Sequence, residues 1–369
     1  MKNRKFKLVC LMLAIMMVFS MTSMVWAAGE ISDDRRNNQV EFIHERIRAI
    51  LAIHEENKED FGYENIDFGL IEIGAAIPTY EYIDGVFQEM NFRVYPLFSD
   101  KRFFSTALVD VSEKEPVISV SATLANRINS QVIGGESIAL IYDKEGLHIY
   151  TGGEITLLNT SGRIAEGRSS IYQSYSEIRN ISSIETREAI PVYDIGYQSM
   201  SAEMARNSAS WVGLNVRFVT QHPYDQICWA ASIAAIGNYV FNASHTAVNV
   251  ARHRFPAPQN FNRALTIGDA RALLLSYWGL AFQADTANFN YNQVIRNLNG
   301  GFPLYASFRF SGGGHAVVIT GVSAMSGLLG IMDPWTGNVI ASLSGGVYRY
   351  ICEDQGDIMT FSRYLPRFN

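Results

Sequence analysis

From about Asn38 to Glu56 the apolar positions recur with a helical period, placing Val40, Ile43, Ile47, Ile50, Leu51 and His54 on one face. The acidic run Glu55–Asp60 then closes this segment. Beyond it the period shortens toward two in Phe92–Leu97, Ser105–Val111, Pro116–Ala122, Ser137–Tyr142 and Leu147–Thr151, with Gly, Asp and Lys at the breaks, which predicts strands of an antiparallel sheet. From Thr160 to about Asn207 the periodicity fades into Ser, Gly and charge, as in a linker or an exposed covering segment. Order resumes with a short strand over Leu214–Val219. A polar loop from Gln221 follows and gives way at Cys228 to an apolar helix, with Trp229, Ile233, Ile236 and Val240 on one stripe and alanines between them. Thr266 and Asp269 form a capping pair for a second helix ending near Gly279. Asn290 opens a third, Tyr291–Asn299, stopped by Gly300 and Gly301. Pro303–Phe310, His315–Val322, Leu328–Met332 and Val347–Cys352 then read as strands, so helices precede a sheet and the class is α+β.

Charge divides the chain at about the same place. Residues 30–200 carry 15 Lys and Arg against 28 Asp and Glu, whereas residues 201–369 carry 11 Arg, no Lys and 8 acidic residues. The opposite signs favour docking of one part on the other. Neither part is basic enough, or has the basic-aromatic interleaving, for nucleic-acid binding. Residues 1–28 combine a basic start, an apolar run from Leu8 to Phe19 and small residues at Ala27 and Ala28, which is the pattern of a secretory signal peptide; export and a secreted location are the expectation. No later apolar run is long enough to span a membrane. The expected organisation is a signal peptide (1–28), a β-rich α+β N-terminal domain (29–160), a linker or covering segment (161–207) and a C-terminal domain (208–369). Removal of the signal peptide leaves Cys228 and Cys352, between which a disulfide is allowed in an oxidising compartment.

Cys228 sits where a polar loop becomes a helix. Free backbone N–H groups and the helix dipole there favour a thiolate; a small buried hydrophobe is the plainer alternative. A cysteine nucleophile needs a base. His44, His54 and His148 are isolated in the N-terminal part, His222 lies in the loop, and His245 and His253 lie in a polar, Arg-containing stretch. His315 differs, because it follows Ser311-Gly312-Gly313-Gly314 and opens an apolar strand. A third group should fix the ring of that base. A hairpin symmetric about Ala324 sets Asp333 directly opposite His315, on one face of the sheet. Trp335 nearby either shields that pair from water or packs in the core. An oxyanion formed by attack on a carbonyl needs donors; the Cys228 N–H is one, and a side-chain amide from Gln221, or failing that Gln226, is another.

Gln221…Cys228-Trp229-Ala230-Ala231, Gly314-His315-Ala316-Val317-Val318-Ile319-Thr320-Gly321 and Met332-Asp333-Pro334-Trp335, in that order, resemble the papain-like cysteine peptidases. The similarity is greatest to bacterial secreted branches: staphopain-like enzymes, effector proteases of plant pathogens and double-glycine-peptidase-like proteins. It covers roughly residues 212–350. The resemblance implies a helical lobe carrying Cys228 against an antiparallel β lobe carrying His315 and Asp333, a thiolate–imidazolium pair, a thioester intermediate, a protein or peptide substrate, and neither cofactor nor metal. Papain itself has Asn where Asp333 stands, and the Gln221–Cys228 separation is one residue longer than the commonest spacing. Secreted members are often zymogens, so residues 29 to about 200 are expected to act as an inhibitory or folding-assisting prodomain, released by cleavage between 160 and 210. The same triad also serves acyl transferases and amidases, and a decayed scaffold can serve as a binding protein.

Overall fold

The computed structural model describes residues 42–61, 63–83, 86–112, 115–130, 138–143, 146–151, 154–160, 211–353 and 356–368. The expected signal peptide and the linker at 161–207 lie outside them. The described residues from Ile47 onward belong to one compact unit.

Helix α1 (42–56) buries the expected face, with Ile47, Ile50, Leu51 and His54 all at or below 1% exposure. The acidic run does not end the helical stretch, because α2 (Lys58–Phe61) follows after a turn at Asn57. The expected single antiparallel sheet is instead divided between two sheets. Strands β1 (Ile71–Ile73), β4 (Phe92–Ser99), β5 (Arg102–Asp110) and β6 (Val117–Ser121) belong to the larger one. The smaller has the order β3 (Val86–Glu89), β2 (Thr79–Ile83), β7 (Ile138–Tyr142), β8 (Gly146–Thr151), β9 (Glu154–Thr160), and β2 pairs with β7 in parallel. Helix α3 (Ala122–Asn129) stands where sequence periodicity predicts only the end of a strand. The Ser121 hydroxyl caps it by accepting from the Thr123 N–H, and Leu124, Ala125 and Ile128 face the core.

The C-terminal part begins with β10 (Trp211–Gly213), earlier than expected. Leu214 still donates to the Thr320 carbonyl, but a local Val216-to-Leu214 hydrogen bond then turns the chain out of the sheet, which is why Leu214–Val219 is not a strand. Trp211 lies flat on β12 (Gly313–Ser323), where a Cβ on Gly321 would come within 2.1 Å of its ring. The helices are α4 (Cys228–Phe241), α5 (Ala247–Arg254), α6 (Ile267–Trp278) and α7 (Tyr291–Asn299). Thr266 and Asn290 cap α6 and α7 as the sequence indicates. Helix α5 has too few apolar residues to announce itself and is held by a Thr246–Asn249 capping box. All residues from Trp229 to Gly237 are buried, so α4 is a central helix surrounded by protein.

After the helices come β11 (Leu304–Phe310), β12, β13 (Leu328–Asp333), β14 (Gly337–Ser344), β15 (Val347–Ile351) and β16 (Ile358–Tyr364). Neighbours in the sheet run β14-β13-β12-β11-β16-β15, and β15 pairs back onto β14, which closes these strands into a barrel. Strand β6 adds to the free part of the β14 edge, through Val120 opposite Ile340 and Ser119 opposite Ala341. Helix α4 packs across β11 and β12. Among the described residues no helix is long and apolar enough to cross a membrane. Neither described cysteine is in a disulfide; Cys352 is buried and Cys228 partly exposed.

Candidate active site

Cys228 is the first residue of α4. The preceding Ile227 offers no side-chain cap, and the Ala230 and Ala231 N–H groups both reach its carbonyl, at 2.9 and 3.1 Å. The N–H groups of Cys228 and Trp229 therefore precede the first intrahelical bond and stand at the positive end of the helix. The loop before the helix is fastened on several sides. Gln226 N–H donates to Asn262 Oδ1 at 3.0 Å, Asn262 Nδ2 donates to Asp225, and Trp229 Nε1 donates to the Arg263 carbonyl at 2.8 Å. The thiol is thus fixed by the helix and by its own loop. Its Sγ accepts a hydrogen bond from the Ala316 N–H at 3.4 Å, which ties it to the residue after His315.

His315 and Asp333 meet, but not as the directly opposed pair expected from a hairpin symmetric about Ala324. The register at the hairpin end is Ser323 with Leu328 and Gly321 with Gly330. Continued unchanged, it would place Asp333 opposite Val318 and so on the other face of the sheet from His315. One extra residue, Thr320, is bulged out of β12, and beyond it Ile319 pairs with Ile331 and Val318 with Met332. Asp333 then falls opposite Val317, two residues from His315 and on its face, where a diagonal contact is possible. His315 Nε2 lies 2.7 Å from Asp333 Oδ1, and both side chains are fully buried.

The carboxylate is held by further donors. Trp335 N–H donates to Oδ1 at 2.8 Å and the Tyr350 hydroxyl donates to Oδ2 at 2.7 Å. The Trp335 ring stacks on the imidazole at 3.8 Å between centroids, with 4° between planes, and seals the pair from water. Nδ1 of His315 is buried and makes no hydrogen bond of regular geometry, so Nε2 is committed to Asp333 and Nδ1 is left for the thiol. Burial by itself would depress the imidazole. The charge and hydrogen bond of Asp333, helped by the neighbouring Cys228, outweigh it and lift the His315 pKa to about 10. Burial likewise pushes the Asp333 carboxyl up, but His315, the Trp335 N–H and the Tyr350 hydroxyl together hold it below the usual carboxylate value. The ion pair is the favoured state.

Gln221 is fully buried at the turn before the helix. Its N–H donates to the Pro334 carbonyl at 3.1 Å and its Nε2 to the Tyr224 carbonyl at 3.0 Å, while Oε1 has no partner. It is thereby pinned to the segment that follows Asp333, and no described hydrogen bond joins it to Cys228. Gln226 is exposed on the loop surface. Cys228, His315, Asp333 and Trp335 are therefore brought together, Gln221 lies against their supporting turn, and Gln226 does not join them. Of the other histidines, His222 reaches the turn beside the site, its Nε2 3.3 Å from the Trp335 carbonyl, and His54 is buried among aromatic rings with neither ring nitrogen hydrogen-bonded. His148, expected to be isolated, is 3.0 Å from Asp143 in its own hairpin, and His245 bonds the Tyr277 hydroxyl. Among the described residues no group of three or more His, Cys, Asp or Glu is arranged to hold a metal ion.

Sequence reasoning missed Tyr350 and the Ala316 N–H. The first is one aromatic among several in alternating strands, and the second is a backbone group, so neither leaves a signal. Tyr350→Phe keeps the ring and leaves one buried carboxylate oxygen without its donor. The expected loss of stability is about 1.5–3 kcal/mol in urea unfolding, as for hydrogen bonds to charged groups. A change under about 0.5 kcal/mol would mean that the bond contributes little.

Residues 210–348 match the family described as papain-like cysteine protease AvrRpt2. The match supports a papain-like cysteine peptidase over these residues and indicates a cysteine-type peptidase, a hydrolase whose family implies a protein substrate. No curated protein matches the chain. Tyr350 lies just beyond the matched residues.

Proposed function

We propose that the protein is a secreted cysteine endopeptidase, made as a zymogen, in which Cys228 is the nucleophile, His315 the proton carrier and Asp333 its orienting partner. The feature on which this rests is the commitment of His315 Nε2 to Asp333, which aims Nδ1 at the partly exposed Cys228. The Cys228 thiolate attacks the scissile carbonyl carbon in a cleft between a helical lobe around α4 and the barrel lobe. The carbonyl oxygen, now negative, is met by the Cys228 N–H and the Gln221 side-chain amide. When the C–N bond breaks, the leaving amine takes the proton from His315 Nδ1 and a thioester remains. His315 next removes a proton from water, hydroxide adds to the thioester, and the thiolate departs as the acid product is released. Cleavage within 161–207 removes whatever restrains the cleft in the precursor.

The test is to expose the purified protein to an epoxide inhibitor of papain-like enzymes and, separately, to casein, before and after limited proteolysis. The expected result is one adduct, located at Cys228 by mass spectrometry, and cleavage of casein. Gln221→Ala should still be alkylated but should turn over about 10²- to 10³-fold more slowly, the usual cost of one oxyanion donor. Absence of both adduct and cleavage rejects the peptidase assignment. An adduct without proteolysis points to acyl transfer with the same residues.

A further inference from the structure

The Asp333 carboxylate stands at the head of a tight turn, Asp333-Pro334-Trp335-Thr336-Gly337, that closes β13 onto β14 with Asp333 opposite Gly337. This turn also carries Trp335, whose ring covers His315. It is anchored on one side by the C-terminal part itself, through the Gln221 N–H on the Pro334 carbonyl. On the other side it is anchored by the N-terminal part. The Thr123 hydroxyl, in the first turn of α3, donates to the Thr336 carbonyl. The next residue, Gly337, has φ +101°, and a Cβ built there would lie 3.0 Å from Thr123 Oγ1. Thr123 is itself fixed, because its N–H is capped by Ser121.

The seam behind this contact is continuous and buried. Besides the β6–β14 pairing, Ile118 N–H donates to Ser342 Oγ at 3.0 Å, Ile351 N–H to Ser119 Oγ at 3.3 Å, and Ser344 Oγ to the Glu115 carbonyl at 2.8 Å. Ile118, Val120, Ile340 and Ala341 are all at 0% exposure. Ile351 of β15 is embedded in the N-terminal core with Phe92, Leu108, Val117 and Tyr142. Opening such a seam exposes strand edges and apolar side chains on both sides.

We propose that the N-terminal part is a permanent component of the catalytic site rather than a detachable prodomain, with Thr123 the positioning residue through which it holds the Asp333–Trp335 turn. Cutting the chain at 161–207 then yields a two-chain enzyme whose parts stay together. This rests on the catalytic roles proposed above for Asp333 and His315. It amends the expectation that cleavage releases residues 29 to about 200.

The experiment uses the full chain with a specific protease site inserted between residues 161 and 207. After complete cutting, both fragments should elute together at the volume of the intact chain, and the epoxide should label Cys228. Separation into a free C-terminal fragment that still labels and cleaves casein would overturn the proposal. Co-elution without any labelling would instead count against the peptidase assignment, so the two failures are distinguishable. In the cut, two-chain enzyme, Thr123→Val should lower kcat about 5- to 10-fold with KM unchanged, the equivalent of one lost hydrogen bond, and should move the alkaline limb of the labelling rate toward acid pH. Thr123→Ser, which keeps the hydroxyl, should restore both. Equal kcat and an equal limb in Thr123→Val and wild type would show that the turn does not depend on Thr123.

Discussion

Cys228→Ala lowers kcat on casein by on the order of 10⁴- to 10⁶-fold, the scale seen when a nucleophile is deleted from a site whose members act as a unit. The loss should be chemical and not structural. Ala is the best helix former and suits the first turn of α4, and Cys228 is only partly buried. The variant gives up a weak hydrogen bond from the Ala316 N–H to sulfur and the smaller part of the support of His315, whose bond to Asp333 stays. The urea midpoint should therefore stay near that of the wild type while activity disappears. A variant that unfolds early would mean that the thiol holds the loop together, and a variant that retains activity would remove Cys228 from the chemistry.

The second large effect is in the pH dependence. His315 titrates at about 10 because Asp333 and Cys228 overcome the penalty of burial. Loss of the imidazolium removes the proton that the leaving amine needs, so kcat/KM should hold through neutral pH and fall on a limb near pH 10, a value that belongs to the coupled pair. Asp333→Ala leaves burial unopposed by the carboxylate, and the limb should move toward acid with a drop in kcat of about 10²- to 10⁴-fold. An unmoved limb would mean that Asp333 does not govern His315. Stability follows the same groups. The folded pKa of His315 exceeds its ordinary value of 6.5, so its contribution is complete below about pH 6.5 and is lost as pH rises through about 10. Asp333 is held below its ordinary value of 3.8, so its contribution is complete above that value and is lost as pH falls below it. Both act in full between about pH 4 and 6.5.

Much of the C-terminal part can be read from local patterns. Thr266 and Asn290 announce their helices because a capping side chain is a local device, and the apolar run after Cys228 marks α4 because few polar residues interrupt it. The partnership of His315 with Asp333 was legible from residue types and loop position. Its register was not, since a bulge depends on what both edges of β12 must bond, and Leu214 reaching the Thr320 carbonyl is a contact distant in sequence. Tyr350 and Thr123 were invisible for the same reason. Each acts on the Asp333 turn through tertiary contacts, and nothing in its own neighbourhood marks it. The parallel pairing of β2 with β7 and the closure of β15 on β14 are also long-range choices that alternation cannot encode.

The pairing beyond the bulge at Thr320 makes the site sensitive to the number of residues in its strand as well as to their kinds. The hairpin tip at 324–326 lies outside the paired register, so it can lengthen or shorten without moving His315 relative to Asp333. The stretch from His315 to Ile319 has no such freedom. Removing a single residue within it would leave Cys228, His315 and Asp333 in the sequence and turn the imidazole to the other face from its carboxylate, whereas loss of Thr320 itself would only straighten the strand. Homologous chains that keep Cys, His and Asp but differ by one residue between His315 and Ile319 would therefore carry the motif without the pair.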